Sequence, residues 1–222
     1  MGAITGGARN IVTNGLILNL DAGNYKSYPG SGTTWFDISG NGNNGVLTNG
    51  PTFSSANGGS IVFDGTNDYV DLPINTAFNT PSVTFDMWVN LQSVGSRHIL
   101  MLNWQGLSLE VNSDKTVSMY NYSSGGQLAA VGSGFEWLNW IHFSGMYDDN
   151  AQQLRIYVNG SLSGTRSSTS STIYSVGVHK IAGIDYSLGI LGNVAIARHY
   201  NRALSATEVL QNFNSSRARF GI

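Results

Sequence analysis

The stretch SVTFDMWVNL, residues 82–91, alternates apolar side chains with other side chains at every second position. The apolar set is Val83, Phe85, Met87, Val89 and Leu91, and the other set is Ser82, Thr84, Asp86, Trp88 and Asn90. Successive side chains of a β-strand point to opposite faces, so this pattern predicts a strand with one face against a core. QLRIYVN (153–159) repeats the pattern, which is typical of half-buried antiparallel sheets.

Similar short runs follow one another along the rest of the chain, separated by Asn-Gly and Asp-Gly turn signals. The runs are GLILNL (15–20), SIVF (60–63), YVDL (69–72), HILMLN (98–103), LSLEV (107–111), TVSMY (116–120), LAAV (128–131), NWIHFSGMY (139–147), HKIAGI (179–184) and GILGNVAIAR (189–198). This spacing predicts an all-β protein built as a two-sheet antiparallel sandwich.

One segment near the end of the chain is predicted to be helical. In SATEVLQNF (205–213), Ser205 precedes Glu208 by three residues, which is the pattern of a capping box. We expect Val209, Leu210 and Phe213 to pack on a sheet. A single short C-terminal helix adds to a sandwich and does not make a second domain.

Composition excludes several classes of function. The chain has 222 residues, a formal net charge of −2 and no cysteine, so disulfides, zinc-thiolate sites and cysteine nucleophiles are absent. That charge gives no global basic field for nucleic acid. No apolar run is long enough to span a bilayer, so neither nucleic acid nor a membrane is an expected partner.

Several long segments resemble the concanavalin A-like, laminin-G-like jelly-roll family. They are GLILNLDAGN (15–24), WFDISGNGNNGVLTNGPTF (35–53), SIVFDGTNDYVDL (60–72), SVTFDMWVN (82–90), WIHFSGMYDDNAQQLRIYVNGSLSG (140–164) and LGNVAIARHYNRALSATEVLQNFN (191–214). The resemblance implies a jelly roll of two face-to-face sheets over residues 13–214, with an N-terminal arm (1–12) and a C-terminal tail (215–222). Because this architecture hosts lectins, glycosidases and structural domains, it does not fix the function.

The opening NIVTNGL (10–16) and the closing YNRALSATEVLQNFN (200–214) are similar to proteins of tailed bacteriophages. That resemblance implies a non-enzymatic virion component, a head decoration or fibre-associated knob that helps adhesion. We therefore expect virion partners, self-association and synthesis in the host cytoplasm, because the N-terminus lacks the pattern of a signal peptide. Arg217 and Arg219, in a tail expected to be exposed, are the candidate docking residues.

Glycoside hydrolysis is a remote alternative. A glycosidase needs two carboxyl groups on one groove, about 5.5 Å apart in retaining enzymes. The chain has three glutamates, Glu110, Glu136 and Glu208, and none has a carboxylate two or four residues away. Glu110 is expected to face solvent from its strand, and a distant pairing with Asp86 stays open. The sequence thus predicts no catalytic residue.

Calcium is the one candidate cofactor. Asp37, Ser39 and Asn41 supply oxygen atoms at alternate positions, and DGTNDYVD (64–71) adds Asp64 and Asp68. Such oxygens bind a hard cation, although the loop is no EF-hand because Thr48 stands where a glutamate is required. The other interpretation is that these side chains bond their own backbone in Asx turns. Both interpretations remain open at this point.

A lectin is the alternative function, and its predicted site lies on the non-apolar face of the strand at 82–91. Sugar sites combine an aromatic ring with amide and carboxylate groups. Available aromatic residues include Trp88, Trp104, Trp137, Trp140, Tyr120 and Tyr122. If that face is the concave one, the groove is lined by Asp86, Trp88, His142, Arg155 and Tyr157. The opposing interpretation is that these aromatic residues pack under loops or the helix.

Overall fold

The computed structural model describes residues 10–93, 95, 97–103, 106–121, 128–168, 179–183 and 189–222. Sixteen strands and one α-helix lie in this part of the chain. They are β1 (Leu16–Asp21), β2 (Thr34–Trp35), β3 (Gly45–Thr48), β4 (Thr52–Ser54), β5 (Ser60–Asp64), β6 (Tyr69–Leu72), β7 (Val83–Leu91), β8 (His98–Asn103), β9 (Leu107–Val111), β10 (Val117–Asn121), β11 (Leu128–Gly132), β12 (Trp140–Asp148), β13 (Gln153–Val158), β14 (Ser161–Ser167), β15 (His179–Ile181), β16 (Leu191–Tyr200) and α1 (Ala206–Ser216). Short 3-10 turns cover Ala56–Gly58, Thr76–Phe78 and Arg217–Phe220.

The strands form two antiparallel sheets of eight strands each. The first sheet has the order β14-β13-β12-β7-β16-β5-β4, and β1 pairs with β16 beside β5. The second sheet has the order β11-β10-β9-β8-β15-β6-β3-β2. Several strands that pair in a sheet, such as β7 with β16, lie far apart in the sequence, as expected of a jelly roll. The predicted all-β, two-sheet fold with a C-terminal helix is confirmed.

The alternation in β7 is reproduced by the structure. The apolar set faces the other sheet and belongs to the main core, together with Phe143 and Ile156 of the same sheet and Leu109 of the other sheet. Trp88 faces the opposite way and belongs to a separate cluster outside the sandwich. The face of the first sheet that points away from the core is called the outer face below.

Four strands were not expected from the sequence. β2, β3 and β4 lie within the Gly/Asn-rich segment 34–54 and are only two to four residues long. β14 follows the Asn159-Gly160 turn, where both residues have positive φ. It has no apolar alternation because it is an edge strand with nearly every side chain exposed. Polar edge strands discourage pairing with another chain.

The C-terminal helix covers the outer face of the first sheet. Ser205 and Glu208 form the expected capping box, so this prediction is confirmed. Val209 and Phe213 are buried against the sheet as expected. Leu210 is 44% exposed, however, because it lies on the solvent side of the helix.

Residues 215–222 are not an exposed tail, which corrects the sequence-based expectation. The helix continues to Ser216, and Phe220 in the following 3-10 turn is buried on the outer face. Residues 1–9 of the predicted arm lie outside the described residues, but Val12 is buried and its N–H donates to Asn212 Oδ1 at 2.9 Å. The helix is therefore held by the hydrogen bond from Val12 and by the burial of Phe220 directly after its C-terminal end.

Among the described residues, no helix has the length and apolar character needed to cross a bilayer.

Two histidines lie between the sheets, on either side of Phe78. The ring centroids of His179 and His199 lie 4.5 and 5.0 Å from that of Phe78, and His199 also meets Phe85 edge-on. Burial lowers the pKa of His179 to about 4. Burial, together with the charge of His179, holds the pKa of His199 well below its usual value. Both rings are therefore neutral in the folded protein near neutral pH.

These two pKa values predict a loss of stability in mild acid. As the pH falls below the ordinary histidine pKa of about 6.5, these two histidines bind protons in the unfolded chain but not in the folded protein. The free energy of unfolding should fall between pH 6.5 and 5, by up to about 1.4 kcal/mol per pH unit for each histidine. Urea unfolding across this range measures the slope, and His199→Phe should make it shallower. An unchanged slope in that variant would contradict the assignment.

Candidate functional site

A buried polar cluster centred on Asp86 lies on the outer face. Asp86 Oδ1 accepts a hydrogen bond from Arg198 Nη1 at 3.0 Å. Asp86 Oδ2 accepts from Ser144 Oγ at 2.7 Å and from His142 Nε2 at 2.9 Å. Burial raises the pKa of Asp86, but the attraction of His142 and Arg198 and the hydrogen bonds outweigh it and hold the pKa far below its usual value. The carboxylate is therefore charged and fully enclosed.

An aromatic layer lies beside this polar cluster. The ring of Trp88 stacks against Phe213 of α1 at 5.7 Å and against Phe220 at 4.3 Å, both between ring centroids. Phe220 also packs on Trp140, with 4.7 Å between the centroids. Trp88 is completely buried as a result, whereas Trp140 keeps part of its ring exposed.

The expected sugar groove is not open in the structure. The five predicted residues do lie on one face of neighbouring strands, as their alternation indicated. Asp86, Trp88 and His142 are nevertheless fully buried under α1 and the 3-10 turn. Tyr157 is buried in the cluster that contains Val209. Arg155 is paired with Asp148, so the protein's own side chains occupy the predicted groove.

Asp37 is satisfied by hydrogen bonds within the chain. Its Oδ1 accepts from the N–H groups of Asn19 and Ser39 at 2.9 and 2.8 Å. Its Oδ2 accepts from Ser39 Oγ and from the N–H of Asn43 at 2.8 and 3.0 Å. Asn41 Nδ2 donates to Leu16 O at 3.1 Å. These contacts match the Asx-turn interpretation, and calcium at Asp37, Ser39 and Asn41 stays a prediction.

The second acidic loop lies at the other end of the β3–β6 pair. Asp64 Oδ1 accepts from the N–H of Thr66 at 2.8 Å, and Asp68 Oδ2 accepts from the N–H of Asp64 at 3.1 Å. Burial is the main reason why the pKa of Asp68 is raised. In the part of the chain that the structure describes, no three acidic or histidine side chains converge as a metal site. Calcium at this loop stays a prediction.

The two arginines of the expected docking tail have different roles. Arg219 Nη1 pairs with Asp21 Oδ1 at 2.6 Å, and its other nitrogens donate to the carbonyls of Asn57 and Gly59. Arg219 therefore fastens the 3-10 turn to the sheet. Arg217 is exposed, with its guanidinium 5.8 Å from the ring centroid of Phe213. Docking through Arg217 stays a prediction.

The glutamates do not form a glycosidase pair within the described residues. Glu110 was expected to face solvent, but its side chain is fully buried. Ser108 and Arg97 contact its carboxylate. Its cross-strand partners are Ile99 and Ser118, and neither is acidic. The distant pairing with Asp86 fails because the two carboxylates lie on the outward faces of different sheets.

A cleft of about 380 Å³ lies where the 3-10 turn meets the start of β12. Trp140 and Phe220 supply aromatic surface, and Asn139, Asn159 and Glu136 supply polar groups. Asn159 Oδ1 accepts from the N–H of His142 at 3.0 Å, which fixes this amide. Glu136 pairs with Lys115 at 2.5 Å. Asn139 is exposed.

Sequence reasoning named Trp140 among the available aromatic residues but did not identify this cleft. The local signal is FEWLNW (135–140), which places a carboxylate and an amide beside the ring. The remaining wall comes from Asn159 and from residues 220–222, and no pattern in the sequence links those segments to 135–140. Trp104 and Tyr122, also named as available, lie outside the described residues.

The fold and the aromatic cleft define a concanavalin A-like sandwich with an amide-lined surface site. The family model described as the concanavalin A-like lectin/glucanases superfamily matches residues 64–210, which is more than half of the chain. The chain therefore belongs to this superfamily. No curated protein sequence matches it.

Solved structures similar to this chain include clostridial binding domains. The binding domain of Paraclostridial Mosquitocidal Protein 1 is 16% identical, with a TM-score of 0.75 over 91% of this chain and 52% of that chain. The binding domain of botulinum neurotoxin DC in complex with SialylT is 13% identical, with a TM-score of 0.70 over 91% and 52%. The same domain with rat synaptotagmin II is 13% identical, with a TM-score of 0.71 over 92% and 52%. The chain spans about half the length of these domains, and the likeness shows the shared fold.

The enclosed charge on Asp86 leads to a prediction about stability. Asp86→Ala should lower the free energy of unfolding by about 3–5 kcal/mol, because Arg198 is then buried without its carboxylate. Arg219→Ala removes a partly exposed pair and should cost much less. Urea unfolding of both variants measures the difference. A cost for Asp86→Ala no larger than that for Arg219→Ala would contradict the stabilising role of the buried Asp86–Arg198 pair.

Proposed function

We propose that the chain is a glycan-binding, lectin-like domain whose binding site is the cleft beside Trp140. The observation that carries the proposal is the combination of a partly exposed tryptophan with Asn139, Asn159 and Glu136 in one cleft. Aromatic rings pack against the C–H face of a sugar, while amides and carboxylates bond its hydroxyl groups. Because Asn159 is fixed by the backbone of β12, one polar group is already held in place.

The site is concave and built mostly from rigid elements. Trp140 opens β12, Asn159 lies in the β13–β14 turn, and Phe220 lies in a 3-10 turn fastened through Arg219. Groups held by strands and anchored turns lose little freedom on binding. The cleft therefore suits a ligand that binds without rearranging the sandwich.

The comparisons support a binding role more than a catalytic one. The superfamily description includes lectins as well as glucanases, and the three structures named above are binding domains. One of them is a complex with SialylT and another is a complex with rat synaptotagmin II, and this chain matches about half of the length of each domain. The cross-strand partners of Glu110 are not acidic, so no glycosidase pair is proposed at this residue.

The phage-particle role stays a prediction, and glycan binding is compatible with it. None of the three structures is a phage protein. A virion component that recognises a surface glycan would use the cleft for adhesion and other surfaces, Arg217 included, for attachment to the particle or to a second copy. Mass spectrometry of purified particles tests this role. Absence of the chain from every particle fraction would remove it without affecting the glycan proposal.

The test of the cleft is a glycan array followed by substitution. Trp140→Ala should reduce the affinity for any glycan hit at least about tenfold, because the loss of one stacked ring costs about 1.4 kcal/mol or more. Asn139→Ala should weaken binding less, since it removes one exposed amide. Asn150→Ala, an exposed asparagine in the turn after β12, is the matched control and should bind like the parent.

A folded Trp140→Ala variant that binds with parental affinity would overturn the assignment of this cleft. Far-ultraviolet circular dichroism and urea unfolding establish that the variant is folded. An array without any hit would count against the lectin proposal as a whole.

A further inference from the structure

The cleft continues into a row of side chains across the outer face. Trp140 pairs with Asn90 of β7, and Asn90 pairs with Asn193 of β16. Asn193 pairs with Val62 of β5, which in turn pairs with Thr52 of β4. These five residues, here called the cross-strand row, lie side by side on five adjacent strands.

The row is long and accessible. Neighbouring strands are about 4.8 Å apart, so the four steps from Trp140 to Thr52 span roughly 19 Å. Thr52 is exposed and the other four residues are partly exposed, although the centre of the outer face is buried under α1. The 3-10 turn that contains Phe220 borders the row on the side towards the centre of the outer face. The row therefore forms a shelf that leads out of the cleft.

The two asparagines of the row present fixed acceptors. Asn90 Nδ2 donates to Leu138 O at 2.9 Å, and Asn193 Nδ2 donates to Ser60 Oγ at 3.0 Å. These bonds orient both amides. Among the described residues, no hydrogen bond reaches either Oδ1 atom, so both oxygens are available to hydroxyl donors. A sugar chain offers such donors at regular intervals.

The charges around the row favour a neutral ligand. None of its five members is basic. Glu136 stands at the cleft and is paired with Lys115, and Asp64 is exposed two residues beyond Val62 on β5. Arg219, on the far side of Phe220, is paired with Asp21. An acidic sugar at the β5 end of the row would meet the exposed carboxylate of Asp64, whereas the exposed Arg217 of the turn lies over Phe213 and does not line the cleft.

We infer that the ligand is a neutral, extended oligosaccharide or polysaccharide chain that lies across the strands from the cleft to β4. This inference rests on the proposed glycan site and adds to it the length and the charge of the ligand. A chain of several sugars contacts the fixed amides of Asn90 and Asn193, whereas a single terminal sugar contacts only the cleft. Affinity therefore increases with chain length, and an anionic chain of equal length binds more weakly.

Titration calorimetry with neutral ladders tests the inference. The probes are β-glucan, β-mannan and β-galactan oligosaccharides of two and six sugars, with α2,8-linked hexasialic acid as the charged chain. The best neutral hexasaccharide should bind about 25-fold more tightly than its disaccharide, since the two additional hydrogen bonds, to Asn90 and Asn193, contribute about a factor of five each. Thr52→Arg, at the far end of the row, should remove most of this gain and leave disaccharide binding unchanged.

Ser167→Arg is the matched control, because Ser167 is an exposed hydroxyl residue on β14, the opposite edge strand of the same sheet. It should keep the length dependence. Equal affinity for two and six sugars, or a Thr52→Arg variant with an unchanged gain in affinity, would contradict ligand binding along the row. Neither result would contradict glycan binding in the cleft. Tighter binding of hexasialic acid would overturn the charge argument. No binding of any probe, together with an array without hits, would remove the proposed function itself.

Discussion

The enclosed carboxylate of Asp86 organises one whole side of the molecule. It receives hydrogen bonds from Arg198 of β16 and from His142 and Ser144 of β12 while it lies on β7, so it links the three central strands of the first sheet. Asn212 of α1 reaches the same carboxylate at 3.4 Å. A buried charge of this kind is costly unless it is fully paired, and the helix completes its enclosure. The position of the helix then fixes Phe220 and hence the wall of the cleft.

The sequence was informative about strands and much less so about what covers them. The period of two in β7 separated its two faces correctly, because strand geometry alone sets that alternation. The sequence-based prediction placed Trp88, Asp86 and His142 on one face of the sheet. A sheet face with an open groove and a sheet face covered by a helix have the same sequence pattern. The burial of Phe220 on this face was the feature that the sequence did not predict. Phe220 appeared to be part of a basic tail because the residue it packs on, Trp88, is more than a hundred residues away in the sequence.

The segment 37–53 shows a second limit of sequence reasoning. A cation and a set of backbone N–H groups both require oxygens at the positions of Asp37, Ser39 and Asn41, so the spacing is the same in either case. Only the three-dimensional contacts distinguish them, and the backbone supplies the partners of Asp37. The short strands β3 and β4 were missed for a related reason. Few residues and many glycines leave too little periodicity to detect.

The cleft is assembled from segments that lie far apart in the sequence. Residues 134–141 and 159 belong to the sandwich, whereas residues 220–222 belong to a turn laid over it. Substitutions in that turn would reshape the rim while the jelly roll keeps its core, because the packing between the sheets contains none of these residues. Selection could therefore diversify the proposed binding site through one short segment, much as an interchangeable loop does on an antibody framework.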